Sequence, residues 1–142
     1  MEQYRFFRKI GAVPIYREHP RSALQVIRKS ADFLSQPGRS LYIFPQGRMY
    51  SECDPIEFEG GLSRLAELTG PVDFVPLAIT ITTIRYDKPE LYLAVGPTVI
   101  AQPDISRQDR TSYFQARLNE LAGRNREASL QRLRDYEHTK LM

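Results

Sequence analysis

The chain has 142 residues, with 20 Lys+Arg, 17 Asp+Glu, two His and one Cys. That length suits one domain with a genuine core, and 42% hydrophobic with 26% charged residues excludes a disordered chain. One Cys excludes an internal disulfide and a Cys-rich zinc site, and two His 119 positions apart leave little for a His-based metal cluster.

Residues 4–9 read as the end of a helix or a basic aromatic turn. Gly11 releases the chain into a short predicted strand over 12–17, where Val13 and Ile15 alternate. Pro20 then opens a predicted helix over 21–36, whose Leu24, Ile27, Ala31 and Leu34 form one apolar stripe. Pro37-Gly38 stops it. Leu41-Tyr42-Ile43-Phe44 is a continuous apolar run, the mark of a strand buried on both faces. Pro45-Gln46-Gly47-Arg48 breaks it, and an acidic loop with Glu52, Asp54, Glu57 and Glu59 leads to Gly60-Gly61. A two-turn helix carrying Leu62, Leu65, Ala66 and Leu68 follows, ended by Gly70-Pro71. Residues 74–84 form a predicted strand, 87–90 a turn, and 91–95 the returning hairpin partner. Residues 107–136 are helical by pattern, with Gly123 splitting them into two helices.

This order predicts an α/β fold with a parallel core and an antiparallel edge. The most apolar stretch, 74–84, is too short and too rich in Thr for a spanning helix of about 20 residues. The basic N-terminus lacks the long apolar core of a secretory signal. Charge is segregated. Residues 1–48 carry nine Lys+Arg against three Asp+Glu, 49–104 three against nine, and 105–142 eight against five. A basic first third fits an anionic partner, although a solvated face is the plainer reading. Ligands of such sheets sit beyond the carboxyl ends of strands. Arg17 and Arg48 both fall at predicted strand ends, where two guanidiniums can clamp a phosphate or carboxylate. Gly47 permits close backbone approach there.

Three blocks in order then resemble the signature blocks of the glycerolipid acyltransferases, the glycerol-phosphate and lysophosphatidic acid acyltransferases and their relatives. Gly11-Ala-Val-Pro-Ile-Tyr-Arg17 resembles the second block. Residues 41–48, LYIFPQGR, are similar to the third, usually F-P-E-G-T-R. Val75-Pro76-Leu77-Ala78-Ile79 is similar to the fourth, V-P-x-x-I. Phe58-Glu59-Gly60-Gly61 matches the segment between blocks three and four. The resemblance covers about residues 4–100. It implies a glycerol-phosphate-acyltransferase-like sheet with flanking helices, the C-terminal part of an acyltransferase domain over 1–104, and a helical tail over 105–142.

The same resemblance implies transfer of an acyl group from a thioester, on coenzyme A or acyl carrier protein, to a hydroxyl of a glycerol phosphate or lysophospholipid. Arg17 and Arg48 would bind the acceptor phosphate. Phe44, Pro45, Gln46 and Gly47 would shape the acceptor site, with Gly11, Gly60, Val75 and Pro76 supporting it. The thioester is a co-substrate, so no metal or tightly held cofactor is implied. The family's His-x4-Asp, a general base with its orienting carboxylate, is missing from this sequence: the fifth residue after His19 is Leu24, and only four residues follow His138. An N-terminally truncated domain is the expected explanation, and a non-catalytic lipid- or partner-binding module is the rival. Gln46 replaces the usual Glu, and Arg48 follows Gly47 directly, one position early.

His19 between Glu18 and Pro20 reads as solvated, and Cys53 has no neighbouring cation in sequence to make it a nucleophile. The acidic loop lacks the calcium-loop spacing. Residues 4–9 mix aromatics with cations as interfacial segments do, and the family resemblance, which places this region after a helix near the membrane, implies contact with anionic lipid, against the plainer reading of Phe6 and Phe7 as core. The expected location is cytoplasmic, or peripheral on the cytoplasmic face of a membrane. A nucleic-acid partner is not expected, since the tail alternates charges and no nucleic-acid motif is present.

Overall fold

The computed structural model describes residues 5–16, 18–47, 54–83, 89–100 and 104–140. A short helix, α1 (Arg5–Lys9), is followed by α2 (Pro20–Leu34) and α3 (Gly61–Thr69). The strands are β1 (Asp73–Phe74), β2 (Leu77–Thr82), β3 (Glu90–Val95) and β4 (Val99–Ile100). A long helix, α4 (Arg107–Lys140), closes the chain.

The helices follow local chemistry. Gly11, at φ +79°, takes the left-handed turn after α1, where the Ala12 N–H donates to Phe7 O at 2.8 Å. Pro sits in the first turn of α2, where no intrahelical donor is lost. The α2 stripe packs on α3, with Ala31 buried. In α3, Leu62, Ser63, Leu65 and Ala66 are buried, and Gly70 at φ +69° ends it.

The strands differ from expectation in direction and number. Among the described residues every pairing is antiparallel: β1 with β4, and β2 with β3. The expected parallel core is absent there, so α/β holds only as a mixture of helices and small antiparallel sheets. Residues 12–16 and 41–44 form no strand. Tyr42 is 83% and Phe44 75% exposed, and only Ile43 of that run packs against the core. An apolar run specifies side-chain faces, but a strand also needs a neighbour for its N–H and C=O groups. Neither segment has that ladder.

The hairpin forms as predicted, with Ile79 opposite Leu93 at its centre. The single strand expected over 74–84 is instead interrupted. Between the two ladders, Val75-Pro76 faces the three residues 96–98, so the register slips by one residue in the manner of a β-bulge. The Gly96 N–H donates to Pro76 O at 2.9 Å and holds the bulge shut. A Cβ at Gly96 would lie 2.8 Å from Leu121 Cδ1 and 2.9 Å from Pro76 Cγ. Gly96→Ala is therefore expected to cost about 1–2 kcal/mol by overpacking. A urea titration checks it, and an unchanged midpoint would mean that α4 shifts freely off the bulge.

Gly123 does not split the tail. α4 is one helix of 34 residues. A mid-helix Gly costs about 1 kcal/mol, and tertiary packing on both sides of it, at buried Leu121 and Asn125, offsets that loss. The core cluster joins Leu62 and Ala66 of α3, Val99 of β4 and Phe114 of α4, with Ile43, Phe58, Phe74 and Tyr113 against it.

Polar side chains of α4 complete the packing. Gln115 Oε1 accepts the Phe58 N–H at 2.9 Å. Asn119 makes a reciprocal pair with Ile56, accepting its N–H at 2.8 Å and donating to its C=O at 2.9 Å. The side chains of this helix thus satisfy segment 56–58 as a neighbouring strand would. Buried Asn125 donates to Ala78 O and Tyr92 O, each at 3.2 Å, tying both hairpin strands to α4.

Candidate acceptor-binding site

Residues 44–47 make a turn at Pro45-Gln46 and leave it through Gly47 at φ +66°. That left-handed value is open to Gly at no steric cost. Phe44 is exposed, while Pro45 and Gln46 are half-buried. The Glu59 N–H donates to Pro45 O at 2.9 Å, which fixes this turn beside the segment entering α3. Gly60 is the N-cap of α3, without a side-chain cap bond. The structure therefore brings the expected acceptor-site loop and Gly60 together. Through Phe58 and Ile56 both are anchored on Gln115 and Asn119 of α4.

The other sequence-predicted residues fall elsewhere. Gly11 caps α1. Val75 is exposed in the bulge, and Pro76 holds the bulge against Gly96. Arg17 and Arg48, expected to hold the acceptor phosphate, lie outside the described residues, as does Cys53. His19 is the exposed N-cap of α2, its carbonyl accepting from Ala23 N–H at 3.0 Å. Phe6 and Phe7 are exposed, with ring centroids 5.7 Å apart, which corrects the reading of these two as core. No described helix is long and apolar enough to cross a membrane. Among the described residues no three His, Cys, Asp or Glu side chains converge as metal ligands would.

Sequence reasoning missed a charged cluster at the start of α4. Arg107 clamps Glu67 through two bonds of 2.9 Å. Arg64 reaches the same carboxylate at 2.7 Å and Arg110 at 3.2 Å. Hydrogen bonds from Arg107, then Arg64, hold the Glu67 carboxyl down at about 2, with burial opposing them. The same pairing raises Arg107 above its usual value. This cluster is a clasp between α3 and α4 whose anion is already in place, so it adds no open phosphate site. Its local signal was the i, i+3 spacing of Arg64 with Glu67; the pairing between the two helices had none.

Comparison with known proteins adds the last step. No curated protein and no solved structure matches significantly. The model of the family described as Acyltransferase matches residues 3–80, a span holding the 11–17 and 41–48 blocks, the Gly60 segment and the VPLAI block. The chain belongs to the Acyltransferase family.

Proposed function

We propose that this chain takes part in acyl transfer from an acyl-coenzyme A or acyl carrier protein thioester to a hydroxyl of a glycerol phosphate or lysophospholipid, and that it forms the acceptor side of the site. The family match over residues 3–80 carries this reading. The pinning of the 44–47 turn beside Gly60 supports it, because an acceptor loop must be held on a rigid support to orient its substrate. Arg17 and Arg48 are the phosphate ligands in this proposal, each able to give bidentate, charge-assisted hydrogen bonds. Phe44, Pro45, Gln46 and Gly47 shape the pocket, and Gly60 holds its frame. The thioester is a co-substrate, and no resident cofactor is invoked. Exposed Phe6 and Phe7 beside Lys9 support peripheral contact with an anionic, cytoplasmic-face membrane, where the acceptor lipid would be met.

A second reading has its own observation. The sequence holds no His-x4-Asp, so it lacks the family's base and orienting carboxylate. A module that binds the acceptor without turning it over fits that fact. Titration of the 142-residue chain with a lysophosphatidic acid below its micellar concentration, alongside a thiol-release assay with acyl-coenzyme A, separates the two. Both readings expect saturable binding, weakened about tenfold by Arg17→Ala, the loss of roughly one charge-assisted pair. Thiol release that depends on the acceptor refutes the non-catalytic module; binding without it becomes evidence for the module only if a chain extended upstream through a His-x4-Asp also fails to release thiol. Binding unchanged by Arg17→Ala removes Arg17 from the site.

A further inference from the structure

Residues 56–59 are held from two sides, as a central strand would be. Ile56 and Phe58 are alternate residues, and both give their N–H groups to α4, at Asn119 Oδ1 (2.8 Å) and Gln115 Oε1 (2.9 Å). Glu59 has the opposite parity, and its N–H goes instead to Pro45 O at 2.9 Å. On the α4 side the neighbour is a row of side chains. Thr111, Gln115 and Asn119 stand at i, i+4 and i+8, along one face of the helix. They meet the chain in reverse order. Thr111 Oγ1 bonds Ser63 Oγ at 2.6 Å, Gln115 takes Phe58, and Asn119 takes Ile56. Ser63 is fully buried, so the row begins from a fixed point on α3. The spacings agree: four helical residues rise about 6.0 Å, and two residues of strand about 6.6–6.8 Å. Asn119 also donates to Ile56 O at 2.9 Å, so it meets both backbone groups of that residue.

We propose that Gln115 and Asn119 are positioning residues of the acceptor site, a role that rests on the acceptor-side reading above. They act through the backbone of 56–59 rather than on the ligand. They fix that segment, and Glu59 in turn fixes the 44–47 turn. Both lie on α4, beyond the residues 3–80 that the family model matches. A backbone ladder spreads its hold over many groups, whereas here each backbone N–H hangs on one side chain. Losing that side chain frees the segment while the apolar core around Phe114 and the Glu67 clasp still join α3 to α4. The coupling is also reciprocal: a ligand that needs the ordered turn must tighten the Ile56 and Phe58 amides.

Amide hydrogen exchange of the 142-residue chain, with and without a lysophosphatidic acid below its micellar concentration, is the test. Asn119→Leu and Gln115→Met remove the polar groups at nearly constant size and are good helix formers. Gln115→Glu keeps an acceptor for the Phe58 N–H. Without ligand, Asn119→Leu should speed exchange at Ile56 and Glu59, and Gln115→Met at Phe58 and Glu59, each at least tenfold. The Gly96 amide, bonded to Pro76 O in the hairpin region, should not change. Gln115→Glu should keep Phe58 protected, a difference from Gln115→Met that packing alone would not produce. In the wild type, ligand at ten times its Kd should slow Ile56 and Phe58 about tenfold, beyond any change at Gly96. Asn119→Leu and Gln115→Met should each weaken lysophosphatidic acid binding about fivefold, the loss of one hydrogen bond. Binding that Arg17→Ala weakens but these two leave alone overturns the positioning role and spares the acceptor reading. Ile56 and Phe58 amides indifferent to bound ligand, or equal exchange in Gln115→Met and Gln115→Glu, overturn it as well. A wild-type chain that does not bind the lysophosphatidic acid overturns both.

Discussion

Phe114→Ala should cost about 3–5 kcal/mol, the range for deleting a buried aromatic ring. Phe114 is 5% exposed and stands among Leu62, Ala66 and Val99. Its ring centroid lies 4.9 Å from that of Phe74 and 6.1 Å from that of Tyr113. Three elements meet on this one ring: α3, the β1–β4 ladder, and α4 itself. Among the described residues the buried apolar side chains are few, so little is left to collapse into the cavity. Domains of this size are stable by roughly 5–15 kcal/mol, and the substitution removes a large part of that margin. Equilibrium urea unfolding measures it, with Leu130→Ala as the comparison. Leu130 lies on α4 beyond buried Asn125 and is 41% exposed, so its truncation should change stability by less than about 0.5 kcal/mol. Equal midpoints for the two variants would mean that the core is not organised around Phe114.

The same substitution reaches the proposed site. Gln115 and Asn119 follow Phe114 on α4 and hold Ile56 and Phe58, and Glu59 holds Pro45. Loosening α4 therefore releases the 44–47 turn, and lysophospholipid binding should fall together with stability. Arg17→Ala should weaken binding with the melting temperature unchanged. The pair of variants distinguishes a ligand contact from its support.

What could be read in the sequence, and what could not, divides along the range of the interactions. α2 and α3 were legible because each rests on a 3.6-residue stripe with Gly or Pro at its ends. The β2–β3 hairpin was legible from alternation on either side of a turn signal. The strands expected over 12–17 and 41–44 were not, since a ladder is a contact with another part of the chain and leaves no local trace. Gly123 misled for a related reason, because the packing of Leu121 and Asn125 outweighs a local propensity of about 1 kcal/mol. Alternation in the hairpin showed that two faces exist, but not that Ala78 and Ala94 would take the covered one. For the site, the blocks themselves were legible, including Phe44, Pro45, Gln46, Gly47 and Gly60. The 2.9 Å bond from Glu59 to Pro45 that joins them spans 14 positions and had no signal. Gln115 and Asn119 read as ordinary polar helix residues until the segment they satisfy was in view.

Glu67→Gln should remove a pH dependence that the wild type possesses. In the folded chain the Glu67 carboxyl is held at about 2, against an ordinary value of 4.5. A folded-state value below the unfolded one means that the unfolded chain takes up the proton first as acid is added. The contribution is therefore complete above about pH 5. It declines as the pH falls through 4.5 and is gone near 2. Linkage alone would set its size near 3 kcal/mol. Solvent reaches the cluster, with the Arg107 side chain 53% and that of Glu67 22% exposed, so about 1–2 kcal/mol is the expected net loss. Glu67→Gln should lie below the wild type by that amount at pH 6, with most of the difference gone by pH 2.5 and the two converging only as the pH falls through 2. The difference at pH 6 should only partly shrink in high salt, because Arg110 meets Glu67 at 3.2 Å with its own side chain 5% exposed. Circular-dichroism melts of both proteins across that range provide the comparison. Curves that run parallel from pH 6 to 2.5 would show that α3 and α4 are joined by their apolar contacts alone.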